Sequence, residues 1–104
     1  MVCLRSCPNL NACLVVFGLS IGGTDLTRVL SEIVAMGQDN DCTAATAGSI
    51  VGAIIGYKRI PPHWYASFNN RCLSYLIEHG EFAIDDLLCR FAKQAVSMFA
   101  QLGV

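Results

Sequence analysis

Two carboxylates separated by one residue mark the segment with the clearest chemical potential. Asp39 and Asp41 lie between Gly37, a residue typical of helix ends, and a run of small uncharged residues that begins at Cys42. Both side chains can project from one short loop toward a common point, where a hard divalent cation finds oxygen ligands. The ordinary structural explanation is that Asp41 caps the next helix while Asp39 is solvated. Spacing alone favours capping and leaves a metal site open.

A metal site built on these two aspartates alone would be incomplete. Magnesium usually takes one or two protein carboxylates together with waters and substrate oxygens, so further ligands must come from elsewhere. Cys42 and Thr43 follow directly and would lie near the ion, although a thiol is a poor ligand for a hard cation. Two neighbouring carboxylates should raise the pKa of the Cys42 thiol, so we do not expect a nucleophilic cysteine.

Composition excludes several classes of function. With 104 residues, the chain forms one domain at most. A net charge of −1 with only 14% charged residues gives no basic surface for nucleic acid. The hydrophobic share of 54% and the mean hydropathy of +0.50 are high. They indicate a membrane protein, or a piece whose apolar faces require a partner. The longest uncharged stretches, residues 7–24 and 42–57, are short or interrupted for a membrane span, so we expect none.

Six cysteines occur, and their spacing matches no zinc pattern. Three of them fall on apolar positions of predicted helices, where a free cysteine packs as a small hydrophobic side chain: Cys13, Cys72 and Cys89. We therefore expect a reduced, cytoplasmic protein.

Helical periodicity extends along the chain and predicts an all-α bundle of about five helices without strands. The first helix follows Pro8 and ends at Gly22, with an expected buried stripe of Leu10, Cys13, Leu14, Phe17 and Ile21. The second begins at Thr24 or Asp25 and ends at Gly37. Its expected buried face comprises Leu26, Val29, Leu30, Ile33 and Val34.

The third predicted helix runs from Asp41 to about Tyr57 and carries small residues at every fourth position: Ala44, Gly48, Gly52 and Gly56. Because small residues let another helix approach closely, this stripe predicts a central helix packed on several sides. Beyond Pro61 and Pro62 we predict a short helix near residues 63–65, another over residues 69–78, and a last helix from residue 84. The last helix has the strongest apolar stripe: Ile84, Leu87, Leu88, Phe91, Ala92, Ala95, Met98, Phe99 and Leu102.

Other chemically active side chains have structural explanations. His63 and His79 have no nucleophile near them in sequence and are expected to be structural or exposed. Trp64 could stack on a purine, but after two prolines we expect it to fill the core. Asp85 and Asp86 suit the positive end of the last helix better than a metal site.

The aspartate segment, residues 39–53 (DNDCTAATAGSIVGA), resembles the metal-binding motif of the ADP-ribosylglycohydrolase family. Downstream, Gly56, the Ile60–Pro61 pair and Trp64 fall where the family pattern continues. Upstream, residues 11–16 (NACLVV), with Gly18, resemble the helix that precedes the motif. The resemblance covers roughly residues 9–101.

This resemblance implies an all-helical hydrolase that cleaves the glycosidic bond of ADP-ribosylated proteins or small molecules. Asp39 and Asp41 match the aspartates that hold two magnesium or manganese ions in the family. Cys42 occupies a position where threonine is common, so it is the weakest of the three expected metal ligands. No further catalytic residue and no substrate-binding residue can be assigned.

Only the C-terminal portion of the family pattern is recognisable. A second acidic cluster should lie upstream, yet Asp25 and Glu32 are the only acidic residues before Gly37. We treat residues 1–8 as a leader outside the pattern and residues 9–104 as the family segment. The isolated chain is expected to be inactive, with the missing ligands supplied by an N-terminal part or by self-association. The alternative is a non-catalytic helical remnant that serves as an oligomerisation or partner-binding module.

Overall fold

The computed structural model describes residues 8–103, which divide into two compact units, one ending at Ile60 and one beginning at Pro61. Apart from Pro8, the predicted leader lies outside the described residues. The first unit contains α1 (Pro8–Gly22), α2 (Leu26–Met36) and α3 (Asn40–Ile55), followed by a 3-10 helix at Tyr57–Arg59. The three α-helices pack against one another in all three pairs. Their shared core comprises Val15, Leu26, Val29, Ile33, Thr43, Ala47 and Val51.

The buried face of α1 differs from the predicted stripe. Cys13, Phe17 and Ile21 are exposed, whereas Val15 and Gly18 are buried. The reason is close packing on α2. A Cβ atom built at Gly18 would lie only 2.2 Å from Ile33 Cγ1. The helix therefore turns its glycines, rather than its largest side chains, toward its neighbour.

The second helix begins and ends as predicted. Asp25 is its N-cap and accepts a hydrogen bond of 3.0 Å from the backbone N–H of Arg28. Gly37 ends it with a φ of 75°, a conformation that favours glycine. On the predicted face, Leu26, Val29 and Ile33 are buried. Val34 was assigned to that face wrongly, because 52% of it is exposed.

The third helix begins at Asn40 and ends at Ile55, before the predicted Tyr57. Asp41 therefore lies in its first turn and does not cap it; Asp39 holds the N-cap position without a side-chain capping hydrogen bond. Its buried line is Thr43, Ala47 and Val51, beside the half-buried Ala44, Gly48 and Gly52 of the small-residue stripe; Gly56, the last member of the stripe, is exposed and follows the helix. The predicted packing on several sides is only partly present, since much of the helix surface is exposed: Ala45, Thr46, Ser49, Ile50, Ala53 and Ile54.

The second unit contains 3-10 helices at Pro62–Trp64 and Ala66–Phe68, an antiparallel hairpin and α4 (Ile84–Gln101). The hairpin, β1 (Arg71–Leu76) and β2 (His79–Ala83), replaces the helix predicted over residues 69–78, so the prediction of a strand-free chain was wrong. Asn69 and Asn70 have φ values of 51° and 58°, which interrupt a helix.

Side-chain contacts hold the hairpin in place. The guanidinium group of Arg71 on β1 donates two hydrogen bonds, of 2.6 and 2.9 Å, to the carboxylate of Glu81 on β2. The Asn70 side chain accepts a hydrogen bond of 3.0 Å from the backbone of Asp85, which joins the hairpin to the start of α4. Helices still dominate the described chain, and the all-α fold class is confirmed.

The fourth helix follows its prediction in extent but not in burial. Asp85 and Asp86 lie in its first turn as expected, and Asp86 pairs with Arg90 at 2.7 Å. None of its side chains is buried, and Phe91 is 71% exposed.

The cysteine packing prediction was also wrong, because Cys13 and Cys89 are exposed and Cys72 lies half-buried on a strand. Both histidines are exposed, as expected, although His79 begins a strand rather than ending a helix. Trp64 is half-buried rather than enclosed in a core. Across residues 8–103, no helix combines the length and apolar character needed to cross a membrane.

Candidate metal centre

The turn between α2 and α3 brings the predicted metal ligands together. Gly37 and Gln38 have φ values of 75° and 63°, so the chain reverses within a few residues and α3 begins at once. The side-chain ligand atoms of Asp39, Asp41 and Cys42 all lie within 4.8 Å of one another. We call these three residues the acidic cluster. Within residues 8–103 they are the only group of three acidic, histidine or cysteine side chains placed this closely.

Asp39 is held by α1. The Asn11 amide nitrogen donates a hydrogen bond of 3.1 Å to Asp39 Oδ2, across 28 positions of sequence. This contact orients the carboxylate that is half-buried, while Asp41 and Cys42 are exposed. Asn11 belongs to the stretch that resembles the family, and its contact with Asp39 was not predicted from the sequence. The available signal was a polar residue in an apolar helix, one turn before Val15 on the inner face.

Thr43 supports the cluster through the backbone. It is the buried polar residue of the core, with 1% of its surface exposed. Its hydroxyl donates a hydrogen bond of 3.2 Å to the carbonyl oxygen of Asp39, and its backbone N–H donates to the same oxygen at 3.0 Å. The hydroxyl is therefore engaged in fixing the start of α3.

Hydrogen bonding within and around the cluster shifts the pKa values of Asp39 and Cys42 in opposite directions. The bond from Asn11, followed by contacts with Cys42 and Asp41, lowers the pKa of Asp39 because donors stabilise the ionised carboxylate. The hydrogen bond to Asp39, and then the negative charges of Asp39 and Asp41, raise the pKa of the Cys42 thiol. The raised thiol pKa was predicted from the sequence and is confirmed.

An apolar pocket of about 300 Å³ adjoins the cluster. Asn11, Cys42 and Thr43 belong to its wall, so the cluster and the pocket share one edge. The remaining wall is contributed by Ala12, Val15, Val16 and Thr46. A molecule bound at the carboxylates would therefore have an apolar surface beside it.

A family model for ADP-ribosylglycohydrolases matches residues 4–99 of the 104 residues. The chain belongs to the ADP-ribosylglycohydrolase family. No curated protein and no solved structure matches it. The family is one of glycohydrolases, which supports a hydrolase as the general kind of enzyme. The matched residues include the whole acidic cluster and the helix α1 that carries Asn11. The leader boundary at residue 8 stays a prediction.

The donor set of this ADP-ribosylglycohydrolase segment fits one hard divalent ion. Asp39 and Asp41 supply the one or two carboxylates that magnesium takes from proteins, and the exposure of Asp41 leaves room for waters. A second ion would need carboxylates beyond this group, because the third member is a thiol.

The Asn11 contact makes a testable prediction for Asp39. Substituting Asn11→Ala should raise the Asp39 pKa toward its ordinary value, because the largest stabilising contact of the ionised form is lost. In the wild type the lowered Asp39 pKa stabilises the fold at pH values above the pKa of this carboxyl group in the unfolded chain. That contribution disappears as the pH falls through the pKa of Asp39 in the folded chain. Carboxyl-detected NMR titration measures the shift. Asn9→Ala, an exposed asparagine on the same helix, is the matched control and should leave Asp39 unchanged.

Proposed function

We propose that this segment contributes the Asp39–Asp41 part of a divalent-metal site to hydrolysis of the glycosidic bond in ADP-ribosylated proteins or small molecules. The observation that carries the proposal is the convergence of the acidic cluster's ligand atoms within 4.8 Å in a chain of this family. Magnesium or manganese is the proposed ion, since carboxylate and water oxygens suit both.

Each residue has a distinct part in this proposal. Asp39 and Asp41 would hold the ion, which when bound supplies Lewis-acid activation of water. Asn11 presents Asp39 in a fixed orientation, and Thr43 fixes the backbone from which both aspartates project. The adjoining pocket would exclude water from one side of the bound substrate.

The remaining ligands are proposed to come from an N-terminal part or from a second copy. Both arrangements account for a donor set that stops at two carboxylates. Because the four cysteines among the described residues carry free thiols, a reduced, cytoplasmic setting is part of the proposal: Cys13, Cys42, Cys72 and Cys89.

The alternative function is a non-catalytic helical module that binds a partner or a second copy. The observation in its favour is the exposure of the apolar side chains of α4, including Phe91 at 71% and Val96 at 70%. Exposed apolar surface of this kind commonly marks interaction sites.

Metal binding separates the two functions. Titration of Mn²⁺, followed by the loss of the free-ion electron paramagnetic resonance signal, should reveal a site in the wild type. The double variant Asp39→Asn/Asp41→Asn should weaken it by at least roughly tenfold, because both hard ligands are lost. The matched control is Asp85→Asn/Asp86→Asn, which removes two acidic side chains from the first turn of another helix. Equal binding by all three proteins would favour the non-catalytic module.

Activity is measured on the same proteins. Release of ADP-ribose from ADP-ribosyl-arginine with Mn²⁺ or Mg²⁺ should be undetectable for the isolated chain under the half-site proposal. Turnover that disappears only in the Asp39→Asn/Asp41→Asn variant would mean that the chain completes a working site by itself.

A further inference from the structure

The fourth helix carries an apolar stripe that is exposed along most of its length. Its members alternate at spacings of four and three positions, and we call them the α4 stripe: Ile84, Leu88, Phe91, Ala95, Met98 and Leu102. Ile84 is half-buried and the other five are exposed. We propose that two copies of this chain pair through the α4 stripe, with their two α4 helices side by side and antiparallel. The pairing goes beyond the proposed function, because it does not depend on the acidic cluster.

The spacing of the α4 stripe is that of helices that pair along one seam. Apolar side chains that repeat every 3.5 residues on average form such a seam, and each inserts between side chains of the facing helix. Leu102 follows the last residue of α4 and keeps a right-handed helical backbone, so the seam includes it. An antiparallel pair about a two-fold axis places Ile84 against Leu102 of the second copy and Leu88 against Met98 of the second copy.

Side-chain size selects the antiparallel arrangement. At the centre of the seam, Phe91 faces Ala95 of the second copy, so the largest side chain of the stripe meets the smallest. A parallel pair in register would place Phe91 against Phe91 and Ala95 against Ala95. One layer would then be crowded and another would contain a gap, whereas alternation of large and small side chains fills both layers.

The charges of α4 do not oppose the pairing. At about 3.6 residues per turn, Asp86, Arg90 and Lys93 lie on the side of the helix away from the stripe. Asp86 and Arg90 also pair with each other. The positions that flank the stripe between Leu88 and Leu102 are uncharged: Ala92, Gln94, Phe99 and Gln101. Because flanking charges set partner choice between paired helices, uncharged flanks let the helix meet its own copy without repulsion.

The exposed apolar area is sufficient for a specific dimer. The large side chains of the stripe, with the adjacent Phe99, are between 46% and 71% exposed: Leu88, Phe91, Met98, Phe99 and Leu102. These fractions equal about three whole side chains, or roughly 600 Å² per copy at about 200 Å² for each. Two copies together would bury roughly 1,200 Å², which exceeds the roughly 1,000 Å² of a specific protein–protein interface.

Sedimentation velocity of the full chain across micromolar concentrations tests the pairing. A reducing buffer prevents disulfide exchange through free thiols such as Cys89. The variant Phe91→Glu places a charge at the centre of the seam. The matched control is Val96→Glu, since Val96 is 70% exposed against 71% for Phe91 but lies outside the stripe.

We expect the wild type to dimerise and Phe91→Glu to raise the dimer dissociation constant by roughly a hundredfold or more, because each dimer would bury two unpaired charges. Val96→Glu should dimerise as the wild type does. A monomeric wild type would overturn the proposal and leave the stripe to a different partner. Equal weakening by the two glutamate variants would overturn it as well, because the association would then not depend on the stripe.

Exchange of side-chain size tests the antiparallel arrangement. Phe91→Ala leaves gaps and Ala95→Phe sets two phenylalanines against each other, so each should weaken the dimer by roughly tenfold. The double variant Phe91→Ala/Ala95→Phe restores a large side chain opposite a small one and should recover dimerisation to within about threefold of the wild type. A stronger dimer for Ala95→Phe alone, or no recovery in the double variant, would overturn the antiparallel pairing. Circular dichroism establishes that the helices of each variant are intact, and if Phe91→Glu unfolds, this series decides the proposal.

Discussion

Gly22→Ala is expected to destabilise the three-helix unit by about 3 kcal/mol or more, at the upper end of the cost of overpacking. The added Cβ would lie 2.3 Å from Val29 Cγ2 and 2.6 Å from the Val29 backbone nitrogen. A side chain can rotate away, but a backbone atom can move only if α1 and α2 separate. Urea denaturation followed by far-ultraviolet circular dichroism measures the loss.

Gly52→Ala is the matched control for this prediction. A Cβ at Gly52 would meet Ile60 Cδ1 at 4.0 Å, an ordinary contact. Because alanine is favoured over glycine inside a helix, we expect a gain of up to about 1 kcal/mol. If Gly22→Ala unfolds at the same urea concentration as the wild type, the close approach of α1 and α2 is contradicted.

Ile33→Ala is expected to lower the free energy of unfolding by about 2–5 kcal/mol, the range for truncation of a buried large aliphatic side chain. Ile33 is fully buried, and the absence of a side chain at Gly18 lets it pack directly on α1. Truncation would leave a cavity where Ile33 packs against Gly18. The same denaturation measurement reports the change.

The neighbouring residue provides the control. Val34 is 52% exposed, so Val34→Ala should change stability by no more than about 0.5 kcal/mol. The two residues were assigned to one buried face from the sequence, and their predicted effects now differ several-fold. Equal losses for both variants would show that the helix faces its neighbour differently.

The acidic cluster depends on the same packing. Asn11 can reach Asp39 only because α1 packs beside the turn between α2 and α3, and that packing requires the small residues of α1. We therefore expect Gly22→Ala to weaken Mn²⁺ binding together with stability, although Gly22 is not part of the cluster. Asn11→Ala should affect Asp39 without a comparable loss of stability.

Sequence by itself determined the features that depend on local spacing. The cap at Asp25, the helix end at Gly37 and the apposition of Asp39 with Asp41 are each set by a few adjacent residues. The raised pKa of the Cys42 thiol follows from the same proximity. The family resemblance was likewise carried by short local motifs, chiefly residues 39–53, and agrees with the family match.

Tertiary structure decided which faces are buried and which distant residues meet. Periodicity identifies an apolar stripe but cannot show that α1 would turn Gly18 inward and leave Phe17 exposed, because that choice follows from the shape of α2. The hairpin at residues 71–83 escaped prediction because its short apolar run suits a helix or a strand equally, and left-handed Asn69 and Asn70 select the strand. The bond from Asn11 to Asp39 spans 28 positions, so only helix packing could reveal it.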